Sequence, residues 1–175
     1  GIIEEALSAQ FLEQLTSFEY IDIQKPISIY VDTCGGSVSS GLLIYDAIKS
    51  CSSPCVTIGI GKCMSIGTLI LAAGDKGTRY LAENCRLLLH EVSSGAVGTL
   101  TEIENSVEES RKLQKIYIDL LAKETGQPTK KILEDISHGD LYMSSREAIK
   151  YGLADKIVPT RKAPKKPAPA AKKSK

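Results

Sequence analysis

The stretch Gly61-Lys62-Cys63-Met64-Ser65-Ile66-Gly67-Thr68-Leu69-Ile70-Leu71 lies where the pattern of the chain changes from strand to helix. The apolar run before it, residues 56–60, has the length and the β-branched residues of a buried strand. Residues 66–74 are apolar on every side and end in a glycine, which predicts a short buried helix. Ser65 is therefore expected at a strand-to-helix turn, where free N–H groups and the helix dipole stabilise a developing negative charge.

This position of Ser65 has two interpretations. A serine that precedes a helix most often caps its first turn. The alternative is a catalytic nucleophile, because the spacing is similar to the turn that carries the serine of G-x-S-x-G hydrolases, although Cys63 stands where that motif has a glycine. The stretch alone leaves both interpretations open.

Composition predicts one domain with a sizeable hydrophobic core. The chain has 175 residues, 42% of them hydrophobic, and no apolar run approaches the roughly 20 residues that cross a bilayer. Its five cysteines are odd in number and lack the paired spacing of a zinc site, so we expect reduced thiols and no metal. The expected location is the cytoplasm, or an organelle matrix or stroma if a targeting segment has been removed.

Basic residues are concentrated at the end of the chain. Residues 161–175 contain seven of the 22 lysines and arginines, no acid, and otherwise mainly proline and alanine, which build no core. We therefore expect a domain of residues 1–158 followed by a disordered basic tail of residues 159–175. Such a tail is more often a solvated extension than a binding segment, so neither nucleic acid nor a membrane is expected as a partner.

The body of the chain alternates strands and helices, which is typical of an α/β fold with parallel crossovers. The predicted strands are 26–31, 55–60, 78–81 and 86–90. The predicted helices are 4–19, 38–50, 66–74, 101–124, 129–136 and 144–151. Thr101 and Glu104 fit a capping box at the start of the longest helix. The glycine loop at 35–36 and the Ser65 turn both leave the carboxyl ends of neighbouring strands, where open α/β sheets bind ligands.

Few side chains are candidates for acid–base chemistry with Ser65. The chain has two histidines: His90 ends an apolar strand, where a structural role is common, and His138 lies in a polar segment and is expected at the surface. Asp140 is expected at a helix-to-loop transition before residues 141–143, and the simplest interpretation is a turn aspartate. Residue chemistry alone therefore makes a Ser-His-Asp hydrolase one hypothesis rather than a conclusion.

Ordered motifs across residues 2–158 resemble the proteolytic subunit of the Clp protease family. They are Gly35-Gly36-Ser37-Val38, Gly41-Leu42-x-Ile44-Tyr45-Asp46, Met64-Ser65-Ile66-Gly67, Leu71-Ala72-Ala73-Gly74-x-Lys76-Gly77-x-Arg79, Arg86-x-x-x-His90, Thr125-Gly126-Gln127 and Ser144-x-x-Glu147-Ala148-x-x-Tyr151-Gly152-Leu153-x-Asp155. The resemblance implies a Clp/crotonase-type α/β fold, in which a superhelix of ββα units forms a head domain and one long helix forms a handle. It also implies that the N-terminal axial segment of the family is absent here.

The resemblance also assigns roles to individual residues. Ser65 corresponds to the nucleophile, His90 to the base and Asp140 to the acid that orients the base. Gly36 and Ile66 correspond to the positions whose N–H groups form the oxyanion hole. Residues expected to lie against the substrate, where glycines let another backbone come close, are Gly35, Ser93, Gly95 and Gly98.

Activity and partners follow from the same resemblance. It implies a serine endopeptidase that cleaves unfolded polypeptides to short peptides without a metal or organic cofactor of its own. ATP would be used by an AAA+ unfoldase partner. The subunits would form homo-oligomeric or mixed rings, stacked as two heptamers.

Departures from the family pattern keep two other hypotheses open. Cys34 replaces a proline, Glu91-Val92 replace a Gln-Pro pair, and residues 137–139 replace a charged segment. A catalytically silent ring subunit of a mixed complex is therefore a second hypothesis. An acyl-CoA enzyme of the related crotonase fold is a third, although it would not need serine and histidine at these two places.

The position of the acid depends on the register of the alignment. Counted from Thr125, the family's acid falls on Gly139, and counted from Ser144 it falls on Asp140, so one extra residue lies before Asp140. Glycine has no carboxylate, and its access to unusual backbone angles allows a local bulge, which favours Asp140. Asp135 is the rival acid, but it lies in a helical run and is expected to face solvent.

Overall fold

The computed structural model describes residues 1–159. Its helices are α1 (Glu5–Ile21), α2 (Val38–Ser50), α3 (Ile66–Ala72), α4 (Leu100–Thr125), α5 (Thr129–Ser137) and α6 (Ser145–Tyr151). Its strands are β1 (Ile27–Thr33), β2 (Cys55–Met64), β3 (Arg79–Leu81), β4 (Arg86–Leu89), β5 (Leu141–Ser144) and β6 (Lys156–Ile157). The predicted disordered tail falls almost entirely on residues outside this range. No helix of residues 1–159 is long and apolar enough to cross a membrane.

The six strands form one curled sheet with β2 at its branch point. β2 pairs in parallel with β1, with β3 through residues 57–59 and with β4 through residues 62–64. β6 extends the sheet in parallel beyond β3, whereas β5 runs antiparallel to β4. The different partners along β2 turn the sheet, and its last residues lie directly beside β4. The predicted α/β class is confirmed.

The helix after Ser65 is the centre of the hydrophobic core. All seven residues of α3 are buried, as its uniformly apolar sequence predicts. Fully buried leucines on β3 and β4 and on α4 belong to the same core, namely Leu81, Leu87, Leu89 and Leu121. Because α3 is surrounded by packed apolar groups, the turn that precedes it has little freedom to move.

Two local predictions were wrong, and one strand was not predicted at all. The capping box of α4 is formed by Thr99 and Glu102 rather than by Thr101 and Glu104, so the helix begins at Leu100. Residues 141–143, expected in a loop after α5, belong to β5, which pairs antiparallel with β4. β6 was not predicted, because two residues carry no readable periodicity.

A buried network of charges connects α2, α4 and the turn that precedes β3. The Glu124 carboxylate, almost inaccessible to solvent, accepts a hydrogen bond from Tyr45 and lies next to the ammonium groups of Lys49 and Lys76. Burial alone would raise the pKa of Glu124, but these three partners more than offset it and leave the pKa below its usual value. The network therefore holds a charged carboxylate inside the fold.

Candidate active site

The backbone at Ser65 is strained. It has φ 55° and ψ −131°, and Ser65 is the only residue other than glycine with positive φ among residues 1–159. Its N–H donates to the carbonyl oxygen of Leu88 over 2.8 Å, which extends the pairing of β2 with β4 by one residue. The Ser65 side chain makes no capping hydrogen bond to α3, so the interpretation as a helix cap is wrong. Strain of this kind persists only where the surroundings enforce it, and it is common at functional sites.

The hydroxyl of Ser65 is hydrogen-bonded to an imidazole instead. Its Oγ lies 2.8 Å from Nε2 of His90, which directly follows the last residue of β4. The two side chains meet because β2 and β4 are parallel neighbours that end at the same edge of the sheet. His90 therefore contacts the Ser65 hydroxyl and is partly exposed, rather than packed in the core.

Asp140 lies on the other side of the imidazole, at a longer distance. Its Oδ1 is 3.8 Å from Nδ1 of His90, beyond hydrogen-bonding range, and its side chain is 50% exposed. The hydroxyl of Tyr142 approaches the second carboxylate oxygen at 3.4 Å. Gly139, just before it, has φ 121°, a backbone angle that favours glycine, as the choice of Asp140 led us to expect.

Asp135, the rival acid, is engaged elsewhere. It is half-buried and accepts hydrogen bonds from Lys131 at 2.7 Å and from the hydroxyl of Tyr151 at 2.8 Å. Burial would raise the pKa of Asp135, but the bonds from Lys131 and Tyr151 outweigh it and lower the pKa. The expectation that Asp135 faces solvent was wrong, since it joins α5 to α6. His138 lies exposed at the end of α5.

The two glycines before α2 bring a second backbone segment against Ser65. A Cβ atom on Gly35 would lie 2.6 Å from the Cβ of Ser65, and one on Gly36 would lie 2.2 Å from the carbonyl oxygen of Ile3. Only glycine permits this close packing. Within residues 1–159 no acceptor is hydrogen-bonded to the N–H groups of Gly36 and Ile66, and both residues line the cavity next to Ser65. The N–H groups of Gly36 and Ile66 can therefore donate hydrogen bonds to a negatively charged oxygen in this cavity.

The cavity at Ser65 is small, with a volume of about 30 Å³. Val38, Val92 and Tyr117 supply its apolar wall, and His90 lies beside it. From Ser93 onward the chain runs without regular structure to Gly98 and is exposed to solvent. Gly95 has no neighbouring atom where a Cβ would project, so one side of this segment is open to another chain.

Cys63, two residues before Ser65, is a poor alternative nucleophile. It is buried, and its Sγ lies 3.9 Å from Sγ of Cys85. The contact with Cys85 and burial both raise the pKa of the Cys63 thiol, which keeps it protonated. No group of three or more histidine, cysteine, aspartate or glutamate side chains within residues 1–159 is arranged to hold a metal ion.

Two residues have a polar role that the sequence pattern did not predict. Tyr117 lies within the predicted long helix and Thr68 within the predicted buried helix, where both fitted an apolar environment. The structure brings the hydroxyls of both to the carbonyl oxygen of Ser65. The available signal was a tyrosine in an otherwise apolar stripe, because a buried phenol requires a hydrogen-bond partner.

A serine hydrogen-bonded to a histidine at the ends of neighbouring parallel strands, on an α/β fold, is typical of serine hydrolases. The sequence profile of the Clp protease family matches residues 1–161, and the chain belongs to this family. It is similar to the ATP-dependent Clp protease proteolytic subunit 1 of Chlamydia felis, with 38% identity over 160 residues that cover 91% of this chain and 78% of that relative. It is also similar to the ATP-dependent Clp protease proteolytic subunit 2 of Chlamydia muridarum, with 39% identity over 160 residues that cover 91% of this chain and 78% of that relative. The resemblance identified from the motifs is thus confirmed at the level of the family.

Proposed function

We propose that the chain is a serine endopeptidase, the proteolytic subunit of a self-compartmentalised ATP-dependent protease that cleaves unfolded polypeptides to short peptides. The observation that carries this proposal is the 2.8 Å contact between Ser65 Oγ and His90 Nε2 at a strained turn, beside two N–H groups without an acceptor among residues 1–159. Nucleophile, base and oxyanion donors then all come from the chain itself, and the reaction requires no cofactor in this subunit.

The proposed reaction is an acyl transfer in two halves. His90 Nε2 takes the proton of Ser65 as Oγ attacks the scissile carbonyl carbon, and the N–H groups of Gly36 and Ile66 stabilise the resulting oxyanion. His90 then protonates the departing amine, which leaves an acyl group on Ser65. A water molecule, deprotonated by His90, releases that group in the second half.

Asp140 would orient the imidazole during both halves. The 3.8 Å between Asp140 Oδ1 and His90 Nδ1 has to shorten by about 1 Å to form a hydrogen bond, and catalytic hydrogen bonds commonly tighten when substrate binds. Tyr142 and the bulge at Gly139 hold the carboxylate close enough for such a shift.

The substrate would bind as an added strand along residues 93–98. Ser93 lines the cavity at Ser65, and the exposed backbone that follows has N–H and C=O groups that are unpaired within the described residues and can pair with an extended peptide. Gly95 faces open space where a side chain would project, whereas Gly35 and Gly98 let the backbone pack closely against Ser65 and Glu102 at the two ends of the proposed binding path. Such backbone recognition accepts many sequences, as degradation of unfolded chains requires.

Assembly and energy supply are part of the same proposal. The named relatives are ATP-dependent, and we assign the ATP to an AAA+ unfoldase partner that docks on a homo-oligomeric or mixed ring, stacked as two heptamers. The exposed side of α4 supports ring contacts, since Leu100, Val107 and Ile116 leave apolar surface uncovered in the single chain.

A catalytically silent ring subunit is the second candidate. The observation that favours it is Asp140, half-exposed and without a hydrogen bond to His90. Such a subunit would keep the fold and the ring contacts and would lack a reactive serine.

Labelling with a fluorophosphonate probe distinguishes the two candidates. The proposal expects one probe bound to each wild-type chain, none to Ser65→Ala, and full labelling of the control variant Ser137→Ala, whose serine is exposed at the end of α5. All three proteins should elute in the same assembled form, because a small side chain at a turn contributes little packing. An assembled wild-type protein without label would identify the silent subunit instead.

A further inference from the structure

We propose that Tyr117 is a positioning residue, which holds the strained backbone of Ser65 through a hydrogen bond to its carbonyl oxygen. The hydroxyl of Tyr117 donates to this oxygen at 3.2 Å and lies 3.2 Å from Oγ1 of Thr68. The proposal rests on the function proposed above, since it assigns a task at the same nucleophile.

Three donors converge on the carbonyl oxygen of Ser65. The N–H of Thr68 donates over 2.9 Å, its hydroxyl over 2.7 Å, and the hydroxyl of Tyr117 supplies the third bond. The Ser65 N–H is fixed from the opposite side by Leu88. Both peptide groups that flank the φ and ψ of Ser65 are therefore anchored, which is what a disfavoured backbone conformation needs in order to persist.

The hydroxyl of Tyr117 has no other task in the described part of the chain. Tyr117 is 2% exposed, and its only hydrogen-bond partners among residues 1–159 belong to Ser65 and Thr68. Burial raises the pKa of Tyr117, so the phenol stays protonated and remains a donor. A phenylalanine would fill the same space at the wall of the cavity without forming this bond.

The hydrogen bond from Tyr117 comes from a different element than the one that carries Ser65. Thr68 lies in α3, directly after the turn, whereas Tyr117 reaches Ser65 from α4. The turn of Ser65 is thereby fixed against the long helix as well as against its own strand and helix. Loss of the hydroxyl should let Ser65 relax away from the position where Oγ meets both His90 and the scissile carbonyl.

Tyr117→Phe tests the proposal, and Tyr45→Phe is its matched control. Tyr45 is also 2% exposed and also donates one buried hydrogen bond, to Glu124, away from Ser65. We expect Tyr117→Phe to lower kcat and the rate of fluorophosphonate labelling by about 3- to 10-fold, the equivalent of one hydrogen bond, with KM within twofold. Tyr45→Phe should lower thermal stability about as much as Tyr117→Phe does, but it should leave kcat and the labelling rate unchanged.

Amide hydrogen exchange tests the positioning role of Tyr117 without measuring catalysis. We expect faster exchange of the amides of residues 63–68 in Tyr117→Phe than in Tyr45→Phe. Unchanged exchange there, or kcat lowered equally in both variants, would overturn the positioning role and leave Tyr117 as a packing residue. If the wild-type chain neither hydrolyses peptides nor takes up label, the proposed function fails, and the exchange comparison still decides whether Tyr117 holds Ser65.

Discussion

The N–H of Ser65 donates to the carbonyl oxygen of Leu88, two residues before His90, over 2.8 Å. This one backbone bond fixes how far Ser65 projects from the end of β2 relative to the end of β4. As a result the hydroxyl and the imidazole meet at the edge where the two parallel strands end side by side.

The two histidines of the chain offer a controlled test of the proposed base. His90→Ala should lower peptide hydrolysis by at least about four orders of magnitude, because a Ser65 hydroxyl without a base is a weak nucleophile. His138→Ala should leave hydrolysis unchanged, because His138 is exposed at the end of α5. Steady-state hydrolysis of a fluorogenic peptide measures both. Comparable losses in the two variants would contradict the assignment of His90.

Asp140 and Asp135 can be separated in the same way. Asp140→Asn should lower turnover by roughly two to four orders of magnitude, since the amide favours the wrong tautomer of His90. Asp135→Asn should mainly lower stability, because it weakens the bonds to Lys131 and Tyr151. Activity measured beside thermal unfolding distinguishes the two effects. An active Asp140→Asn together with an inactive Asp135→Asn would show that the register is wrong.

Assembly of the proposed ring should depend on the exposed apolar residues of α4. Val107, 42% exposed, is expected in a contact between subunits, so Val107→Glu should dissociate the ring at micromolar concentration. Leu133→Glu on α5 is the control, with a side chain 44% exposed on another helix. Light scattering gives the mass of each protein. A monodisperse monomer for the wild-type chain would refute the ring altogether.

Acid should unfold the protein partly through Asp155. Burial would raise the pKa of Asp155, but the guanidinium and N–H of Arg79 and the N–H of Gly77 lower it to about 2, against 3.8 for the unfolded chain. Since the folded-state pKa is the lower one, this stabilisation is complete above about pH 4 and is lost as the pH falls towards 2. It amounts to ~2 kcal/mol.

Asp155→Asn tests this contribution. Its free energy of unfolding at neutral pH should fall by about that amount, and its stability should depend less on pH between about 4 and 2. Glu83→Gln is the control, because Glu83 pairs with Arg146 at the surface and such pairs contribute within about 1 kcal/mol. Urea unfolding at several pH values measures both. An equal loss in the two variants would contradict the special role of the buried pair.

Local sequence determined most of the secondary structure, because hydrophobic periodicity and the glycines that end helices and strands are properties of neighbouring residues. The uniformly apolar run after Ser65 predicted α3, and the helical spacing of apolar residues over 101–124 predicted α4 to within one residue at each end. The ordered motifs identified the family and, with it, the positions proposed for Ser65, His90 and Asp140. The unusual backbone angle expected at Gly139 is also present, with φ 121°.

Tertiary structure decided what no local pattern contains. β5 was missed because residues 141–143 become a strand only through their antiparallel partner β4, and β6 is too short to show alternation. Local sequence could not decide whether Ser65 is a helix cap or a nucleophile, because its backbone conformation and its bond to His90 depend on pairing between β2 and β4. Asp135 and Tyr117 acquired polar partners from other helices, because buried hydrogen bonds join residues that are distant in sequence and close only after the chain has folded.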